Sequence, residues 1–544
     1  MRNPRRLRLL AAVLAAPLLI TACGGDSGDE GDKGSTAKSG GSFSVYVCEP
    51  EHLIPQNTNE SCGSEVLNAL FTGLVTYDDE TTELQLGDSA PNAHAASIES
   101  TDQTNWTIKL KEGWTFHNGE PVDAASYVRA WNAGALSTNA YGNSYFFENI
   151  VGYDEMQAEE GKEPAAKELT GLKVVDDTTF TVQLKAAFSQ FPLTVGYNAF
   201  YPLPKSFEAD PKAYEEQPVG NGPFQMDGAW AHNQSIKVKR FDDYKGEKAK
   251  ADSVDFTIYS DINTAYNDLL AGNLDVLDSV PPEQLASAEK DFGDRFIQRA
   301  SSSFTYVGFP TYDKKFADPR LRRAFSMAID RQPIIDAIFN GSLQPAKSVV
   351  SPVVAGSRED PCGANCAYDP EAAKKLFDEA GGYEGTLTLW FNSGAGHEKW
   401  MEAVSNQLRQ NLGIKTIKFK SLEFAEYLGL LDQEKVTGPF RLGWVMDYPS
   451  PQNYLEPIYG TTGSSNNFGY SNKKVDDLIK QGNAAADVDA GIDLYNQAED
   501  LILQDMPVIP MWFGKVQAAH SEKVSNVVIS AFTNINTSEI TVNQ

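Results

Sequence analysis

The stretch LTLWFNSGAGHEKWMEAVSNQLRQNLGIKTIKF, residues 387–419, contains the pattern that decides the fold class. Residues 387–391 form a short apolar run typical of a strand, residues 398–412 have the apolar spacing of an amphipathic helix, and residues 414–419 read as a second strand. A strand, a helix and another strand in this order predict an α/β domain.

The same alternation continues in both directions along the chain. Apolar alternation predicts strands, and apolar residues three and four apart predict helices. We expect a helix at 124–135 capped by Asp123 and one at 370–380 capped by Asp369, because an aspartate accepts the free N–H groups of a first turn. Further strands are predicted at 43–47, 106–110, 179–184, 256–259 and 440–446. Further helices are predicted at 64–74, 263–270, 319–329, 471–480 and 490–503.

The composition limits the classes of protein that this chain can belong to. It has 544 residues, 41% of them hydrophobic and 22% charged, which fits a large folded core and two to four domains. The net charge of −28 argues against nucleic acid as a partner, because a phosphate backbone needs clustered Lys and Arg. The sequence contains no window of about 20 apolar residues, so we expect no transmembrane helix.

The N-terminus has the layout of an export signal. Four arginines precede an apolar run, residues 9–20, which is too short to span a bilayer. The sequence Ile-Thr-Ala-Cys at 20–23 resembles a bacterial lipobox, which implies that residues 1–22 are a signal peptide and that Cys23 is lipidated. An ordinary signal peptide is the alternative. Residues 24–42 contain almost no apolar side chains and predict a flexible tether, so we expect the body at the extracytoplasmic face of the membrane.

Four cysteines follow the lipobox: Cys48, Cys62, Cys362 and Cys366. An even number in an exported chain predicts two disulfides, and sequence alone allows three pairings. We favour the two local pairs, Cys48 with Cys62 and Cys362 with Cys366. A zinc site is the rival interpretation, although these spacings match no common Cys₄ pattern.

The motifs of covalent chemistry are missing from this sequence. It contains no G-x-S-x-G, no phosphate-binding glycine loop, no H-E-x-x-H and no calcium loop. The six histidines are scattered. We therefore expect no enzymatic activity, no cofactor and no metal. The glycine-rich segment VGNGPF at 219–224 is interpreted as a turn in which two glycines permit positive φ angles.

Seven segments, in order, resemble the large solute-binding lipoproteins of peptide-type ABC importers, the dipeptide/oligopeptide-binding family. The resemblance runs from about residue 43 to residue 513. The segments are WTFHNGEPVDAASYV (114–128), PVGNGPFQMDGAW (218–230), DPRLRRAFSMAIDRQPI (318–334), YDPEAAKKLFDEAG (368–381), GWVMDYPSP (443–451), FGYSNKKVDDLI (468–479) and QDMPVIPMWF (504–513).

The resemblance implies a periplasmic-binding-protein-like α/β fold with two lobes, a hinge and an additional third lobe. Lobe I would comprise residues 43–72, 197–299 and 512–544, lobe II the insertion 73–196, and lobe III residues 300–511. The ligand would lie between lobes I and III, where crossing strands act as hinges and closure buries it.

The segment FRLGWVMDYP, residues 440–449, is the candidate ligand-binding strand. On a strand, Arg441, Gly443, Val445 and Asp447 would share one face, and the Cα atoms of Arg441 and Asp447 would lie about 20 Å apart if the strand is fully extended. Such an arrangement suits a short zwitterion held as an added strand. By resemblance, Asp447 would bind the α-ammonium of a peptide and Arg441 its carboxyl end.

The resemblance implies roles for further residues. Trp444 would line a side-chain pocket, Asn59 to Ser61 would offer backbone groups, and Trp512 or Phe513 would lie near the hinge. The alternatives are that Asp447 only fixes a turn, that Arg441 belongs to an internal ion pair, and that Trp444 is part of the core.

These features predict a lipid-anchored, monomeric binding protein that captures di- to oligopeptides for an ABC permease. Alternatives with the same fold bind a metal chelate or an oligosaccharide, or sense a signalling peptide. A secreted hydrolase is a further alternative, and it would need a nucleophile or a metal cluster in the cleft.

Overall fold

The computed structural model describes residues 40–158, 162–393, 396–422 and 424–543. The predicted signal peptide, Cys23 and all but the end of the tether lie outside these residues. The strands are β1 Ser42–Val47, β2 Thr76–Tyr77, β3 Leu84–Gln85, β4 Ala95–Ser100, β5 Asn105–Leu110, β6 Leu172–Asp176, β7 Thr179–Gln183, β8 Phe224–Met226, β9 Ser235–Arg240, β10 Ser253–Ile258, β11 Val276–Leu277, β12 Phe296–Gly308, β13 Gln344–Pro345, β14 Thr386–Asn392, β15 Thr416–Leu422, β16 Phe440–Trp444, β17 Val508–His520, β18 Val524–Ser525 and β19 Thr541–Val542.

Helices lie between most of these strands, as the α/β prediction requires. They are α1 Ser61–Leu70, α2 Ala124–Ala135, α3 Phe191–Thr194, α4 Pro211–Glu216, α5 Ile262–Ala271, α6 Leu285–Phe292, α7 Pro319–Met327, α8 Arg331–Phe339, α9 Pro370–Glu379, α10 His397–Leu412, α11 Phe424–Asp432, α12 Pro451–Tyr459, α13 Lys473–Asn483 and α14 Val488–Asp505.

One large mixed sheet runs through the molecule in the order β15-β14-β16-β12-β17-β11-β1-β10-β9-β8, and β13 also pairs with β17. Strands β12 and β17, of 13 residues each, pair antiparallel at its centre. Strands β14 to β16 lie on one side of this pair, and β1 and β8 to β11 lie on the other. The two long strands therefore connect two parts of the sheet.

The pairing of the long strands is interrupted near its middle. The register shifts between Ala300 and Phe304, so residues 301–303 form an irregularity opposite Gly514. A Cβ atom at Gly514 would lie 2.9 Å from both Ser301 Oγ and Ser303 Cβ. This close approach requires a glycine at position 514 and small side chains opposite it.

The hydrophobic cores separate at this interruption. Two buried clusters are built almost entirely from residues 304–513, whereas two others combine residues 43–292 with the C-terminal residues from Val516 onward. A core on each side of a connecting strand pair is the architecture of a two-lobe hinge protein. A second antiparallel sheet, in the order β4-β5-β7-β6, packs with α2 within residues 95–183.

Most predicted elements are present, with differences at their ends. Asp123 and Asp369 cap α2 and α9 as expected. Helix α1 begins at Ser61 instead of residue 64, because the Glu60 carboxylate accepts hydrogen bonds from the N–H groups of Cys62 and Gly63. It ends at Leu70 instead of residue 74, because Phe71 is extended.

The interpretation of the segment 219–224 was correct about backbone geometry but wrong about its cause. Neither Gly220 nor Gly222 has a positive φ angle. A Cβ at Gly220 would lie 1.9 Å from the Leu70 carbonyl oxygen, and one at Gly222 would lie 2.5 Å from Phe71 N. Both glycines are therefore needed where this segment approaches the end of α1.

The cysteines lie in the two local pairs. Cys48 and Cys62 have a Cα–Cα distance of 5.5 Å, as do Cys362 and Cys366, and each pair is placed at disulfide distance. Glu60 lies close to the first pair, so that three potential metal-ligand atoms fall within 4.8 Å of one another. A metal there would need both thiols in the reduced state. No helix of the described residues is long and apolar enough to cross a membrane.

Candidate functional site

A cavity of about 710 Å³ lies between distant parts of the chain. One side is formed by α1 and the segment that follows it, by residues near Tyr197 and Tyr244, and by the C-terminal residues 530–538. The opposite side is formed by Val445, Met446 and Asp447, which follow β16. The cavity thus brings the candidate strand together with the beginning and the end of the folded chain.

Asp447 reaches the cavity by a route that differs from the strand prediction. Strand β16 ends at Trp444, so the alternation of side chains does not extend to residue 447. Instead, Asn453 at the start of α12 fixes Asp447. Its Oδ1 accepts a hydrogen bond from Asp447 N at 2.9 Å, and its Nδ2 donates to Asp447 Oδ2 at 3.0 Å.

The Asp447 carboxylate is half-buried and has no cationic partner among the described residues. Desolvation raises its pKa from 3.8 to about 6, and the hydrogen bond from Asn453 opposes this shift only in part. Tyr145, Tyr197 and Tyr448 lie nearby, and burial raises the pKa of each, so they remain neutral. A negative charge at this position therefore lacks compensation until a cation enters the cavity.

Val445 presents the most exposed large side chain of the segment, with 53% of its surface accessible. Asn59 and Ser61 line the cavity on the opposite side, at the start of α1. Glu60 caps this helix and Cys62 connects its first turn to the end of β1 through the Cys48 pair. The predicted residues Val445, Asp447, Asn59 and Ser61 are thus brought to one cavity.

Arg441 and Gly443 lie on β16 but do not line this cavity. Arg441 Nη1 donates to Asn392 Oδ1 at 3.2 Å, while its buried Nε has no partner among the described residues. Burial lowers the pKa of the guanidinium, and no carboxylate of the described chain lies within 4.0 Å of it. A Cβ at Gly443 would lie 3.5 Å from Arg441 Nη2, so the glycine leaves space for the arginine itself.

The two predicted tryptophans also lie outside the cavity lining. Trp444 Nε1 donates to Asn453 Oδ1 at 3.2 Å, so Trp444 supports the residue that fixes Asp447. Trp512 is 3% exposed and packs between Phe339 and Trp400, with ring centroids 5.1 and 5.0 Å away. The structure places Trp512 in the core of the part containing residues 304–513.

Several cavity residues were missed by sequence reasoning. Asp79, Glu247, Phe532 and Asn536 all line the cavity, and the Phe532 ring packs at a tilt against Tyr77 with ring centroids 5.2 Å apart. They lie in loops without a motif, and only the tertiary fold brings them together.

Comparison with known proteins gives consistent results for the family and the fold. The family model described as "Bacterial extracellular solute-binding proteins, family 5 Middle" matches residues 91–466. The oligopeptide-binding protein OppA of Bacillus subtilis is 25% identical over 546 residues, covering 96% of this chain and 97% of OppA. The dipeptide-binding protein DppE of the same organism is 28% identical over 512 residues, covering 90% of each chain.

Among solved structures, the periplasmic murein tripeptide binding protein MppA in its unliganded open form matches with a TM-score of 0.80 and 22% identity. The match covers 94% of this chain and 99% of MppA. The chain belongs to family 5 of the bacterial extracellular solute-binding proteins, as the sequence resemblance indicated.

Proposed function

We propose that this protein captures peptides outside the cytoplasm and delivers them to an ABC permease. The observation that carries the proposal is Asp447, a half-buried carboxylate that lines the cavity without a cation. A peptide α-ammonium supplies the missing charge, and opposite charges attract more strongly in a partly desolvated site than at the surface. The names of the relatives support peptides over sugars or chelates.

Arg441 is proposed to meet the carboxyl end of the peptide. It carries an unpartnered Nε on the strand that leads to Asp447, and no acidic residue of the described chain neutralises it. Closure of the lobes would bring a carboxylate within its reach. In this arrangement Gly443 leaves the guanidinium free to turn, and Val445 offers backbone groups to the peptide.

Movement between the lobes is proposed to occur at residues 301–303 and Gly514, where the two long strands lose their regular pairing. We propose that lobe I comprises residues 43–72, 197–299 and 512–544, lobe II residues 73–196 and lobe III residues 300–511. We further propose a lipid anchor at Cys23, a monomeric state and two oxidised cysteine pairs.

The direct test compares four versions of trialanine by calorimetry: free, N-acetylated, C-amidated and doubly blocked. We expect N-acetylation to weaken binding at least ~100-fold, because Asp447 would be buried without its partner. Amidation should weaken binding about 10-fold, since an Arg hydrogen bond to a charged group is lost. Native mass spectrometry of the purified protein should show retained peptide masses. Equal affinity for free and N-acetylated peptide would contradict the proposal.

The affinity for a free peptide should be highest between about pH 6 and pH 8. Asp447 has a pKa raised to about 6, so below this pH the empty site binds a proton that the ligand must displace. Above about pH 8 the peptide α-ammonium loses its own proton. Calorimetric titrations from pH 4.5 to 9 should give a bell-shaped curve. A constant affinity down to pH 4.5 would show that Asp447 is not the anchor.

A further inference from the structure

The charges that line the cavity are all of one sign. Glu60, Asp78, Asp79, Glu247 and Asp447 contribute five carboxylates. No Lys, Arg or His belongs to the lining among the described residues. A single α-ammonium would compensate only one of these charges, and Asp447 already provides its partner in the proposed function.

Two of the five carboxylates have a structural role. Glu60 caps α1 by accepting from Cys62 N and Gly63 N at 2.6 and 2.8 Å. Asp78 accepts from Glu80 N and Thr81 N in the turn that follows it. Their charges still act on the cavity, but their oxygens are already engaged by the backbone.

Asp79 differs from both of these residues. It is half-buried, and its carboxylate receives a single hydrogen bond, from Asn536 Nδ2 at 2.9 Å. Desolvation raises its pKa despite the presence of Arg299 nearby. The Arg299 guanidinium donates to the main-chain oxygens of Asp79 and Ile529, and it forms no ion pair with the Asp79 carboxylate. Asp79 thus retains an oxygen that can accept a hydrogen bond from a ligand.

Asn198 gives independent evidence for a ligand that donates hydrogen bonds. This residue lines the cavity and is only 5% exposed. Its Nδ2 donates to Thr58 O and to Ser64 Oγ, whereas its Oδ1 has no partner among the described residues. A buried acceptor without a donor is unfavourable until an N–H or ammonium group reaches it. Glu247 also lines the cavity, with an exposed side chain.

We propose that the cavity selects peptides that carry a basic side chain, and that Asp79 binds the ammonium or guanidinium group of that side chain. This inference rests on the proposed function and names the class of peptide. Peptides with acidic side chains would add charge of the same sign to the cavity and should be excluded.

The test uses tripeptides with free termini that differ in one side chain. Lysine, its uncharged isostere norleucine, and glutamate are placed in turn at the second or the third position, and the other two positions are alanine. Of the two lysine peptides, the one that binds more tightly should bind about 10- to 100-fold more tightly than the norleucine peptide with the same substituted position, in calorimetry at low salt. The glutamate peptide should bind most weakly. This preference should decrease as salt is added.

Two variants assign the effect to the cavity. Asp79→Asn keeps the acceptor for Asn536 and should remove most of the preference for lysine, while changing norleucine-peptide affinity less than about twofold. Glu247→Gln should reduce the same ratio. Glu99→Gln, on the exposed face of β4, removes one surface charge and should leave the ratio unchanged.

The outcomes separate this inference from the proposed function. Equal affinity for the lysine and norleucine peptides overturns the preference and leaves peptide capture standing. An equal loss for both peptides in Asp79→Asn overturns the assignment to Asp79. If no peptide of the set binds the unaltered protein, peptide capture itself fails, and this inference fails with it.

Discussion

Replacing Asp447 by Asn should weaken peptide binding at least ~100-fold, because the α-ammonium would enter a poorly solvated position without its counter-charge. The amide has nearly the shape of the carboxylate, and Asn453 Nδ2 can still donate to its oxygen. The loss would therefore report charge and not altered packing. Calorimetry with trialanine measures it directly.

The same substitution should stabilise the ligand-free protein near neutral pH. The pKa of Asp447 is raised from 3.8 to about 6 in the folded state, so the folded form binds the proton more tightly than the unfolded form. Ionisation above pH 6 then costs about 1–3 kcal/mol, and this cost disappears as the pH falls toward 4. Thermal unfolding should show a higher midpoint for Asp447→Asn at pH 7.5, and the difference should shrink as the pH is lowered from 6 to 4.

Asp336→Asn is a suitable control for both measurements. Asp336 also accepts one hydrogen bond from a side-chain amide, that of Gln332 at 2.8 Å, but it is exposed and lies outside the cavity. It should change neither affinity nor stability appreciably. If Asp447→Asn behaved like this control, the carboxylate would have no role in binding.

Gly220→Ala should destabilise the protein by about 3 kcal/mol, which is the range expected for forcing a side chain into packed backbone. The new Cβ would lie 1.9 Å from the Leu70 carbonyl oxygen, so either α1 or the segment around Gly220 must move. The same oxygen accepts a hydrogen bond from Gly222 N at 2.8 Å, which the movement would disturb. Phe71 and Thr72 follow directly and line the cavity, so peptide affinity should also fall.

Gly429→Ala provides the matched comparison for this steric effect. Gly429 lies in helix α11, its φ angle is not positive, and a Cβ there would lie 4.0 Å from its nearest neighbour. Alanine is favoured over glycine in a helix by about 1 kcal/mol, so this variant should unfold at the same or a higher temperature. Similar midpoints for the two variants would show that the close approach at Gly220 is not required.

The elements that sequence predicted well are those governed by local chemistry. Asp123 and Asp369 lie one residue before helices whose first N–H groups they accept, and this needs no information from the rest of the fold. Asp447 lies at the cavity, but it reaches the cavity from the segment after β16 and not from the strand itself. The predicted strand would have continued past Trp444, whereas Asn453 redirects the chain there by binding the backbone and the side chain of Asp447.

The remaining part of the site depends on long-range contacts. Asp79 and Asn536 are separated by 457 residues in the chain and meet only in the folded protein. Neither Asp79 nor Asn536 belongs to a motif, so the acidic character of the cavity could not be predicted from the sequence. Trp512 lies two residues before Gly514, at the proposed hinge, but its side chain is packed between Phe339 and Trp400 and does not line the cavity.

The break in pairing between the two long strands has a consequence for how the affinity of this protein can change during evolution. Residues 301–303 and Gly514 fit against each other with no spare volume, yet none of them contacts the cavity. A bulkier residue here would push the two long strands apart and change the equilibrium between the open and closed forms. Observed affinity scales with the population of the binding-competent form. Ligand preference can therefore change through the lining carboxylates, and overall affinity can change independently through a few small residues outside the cavity lining.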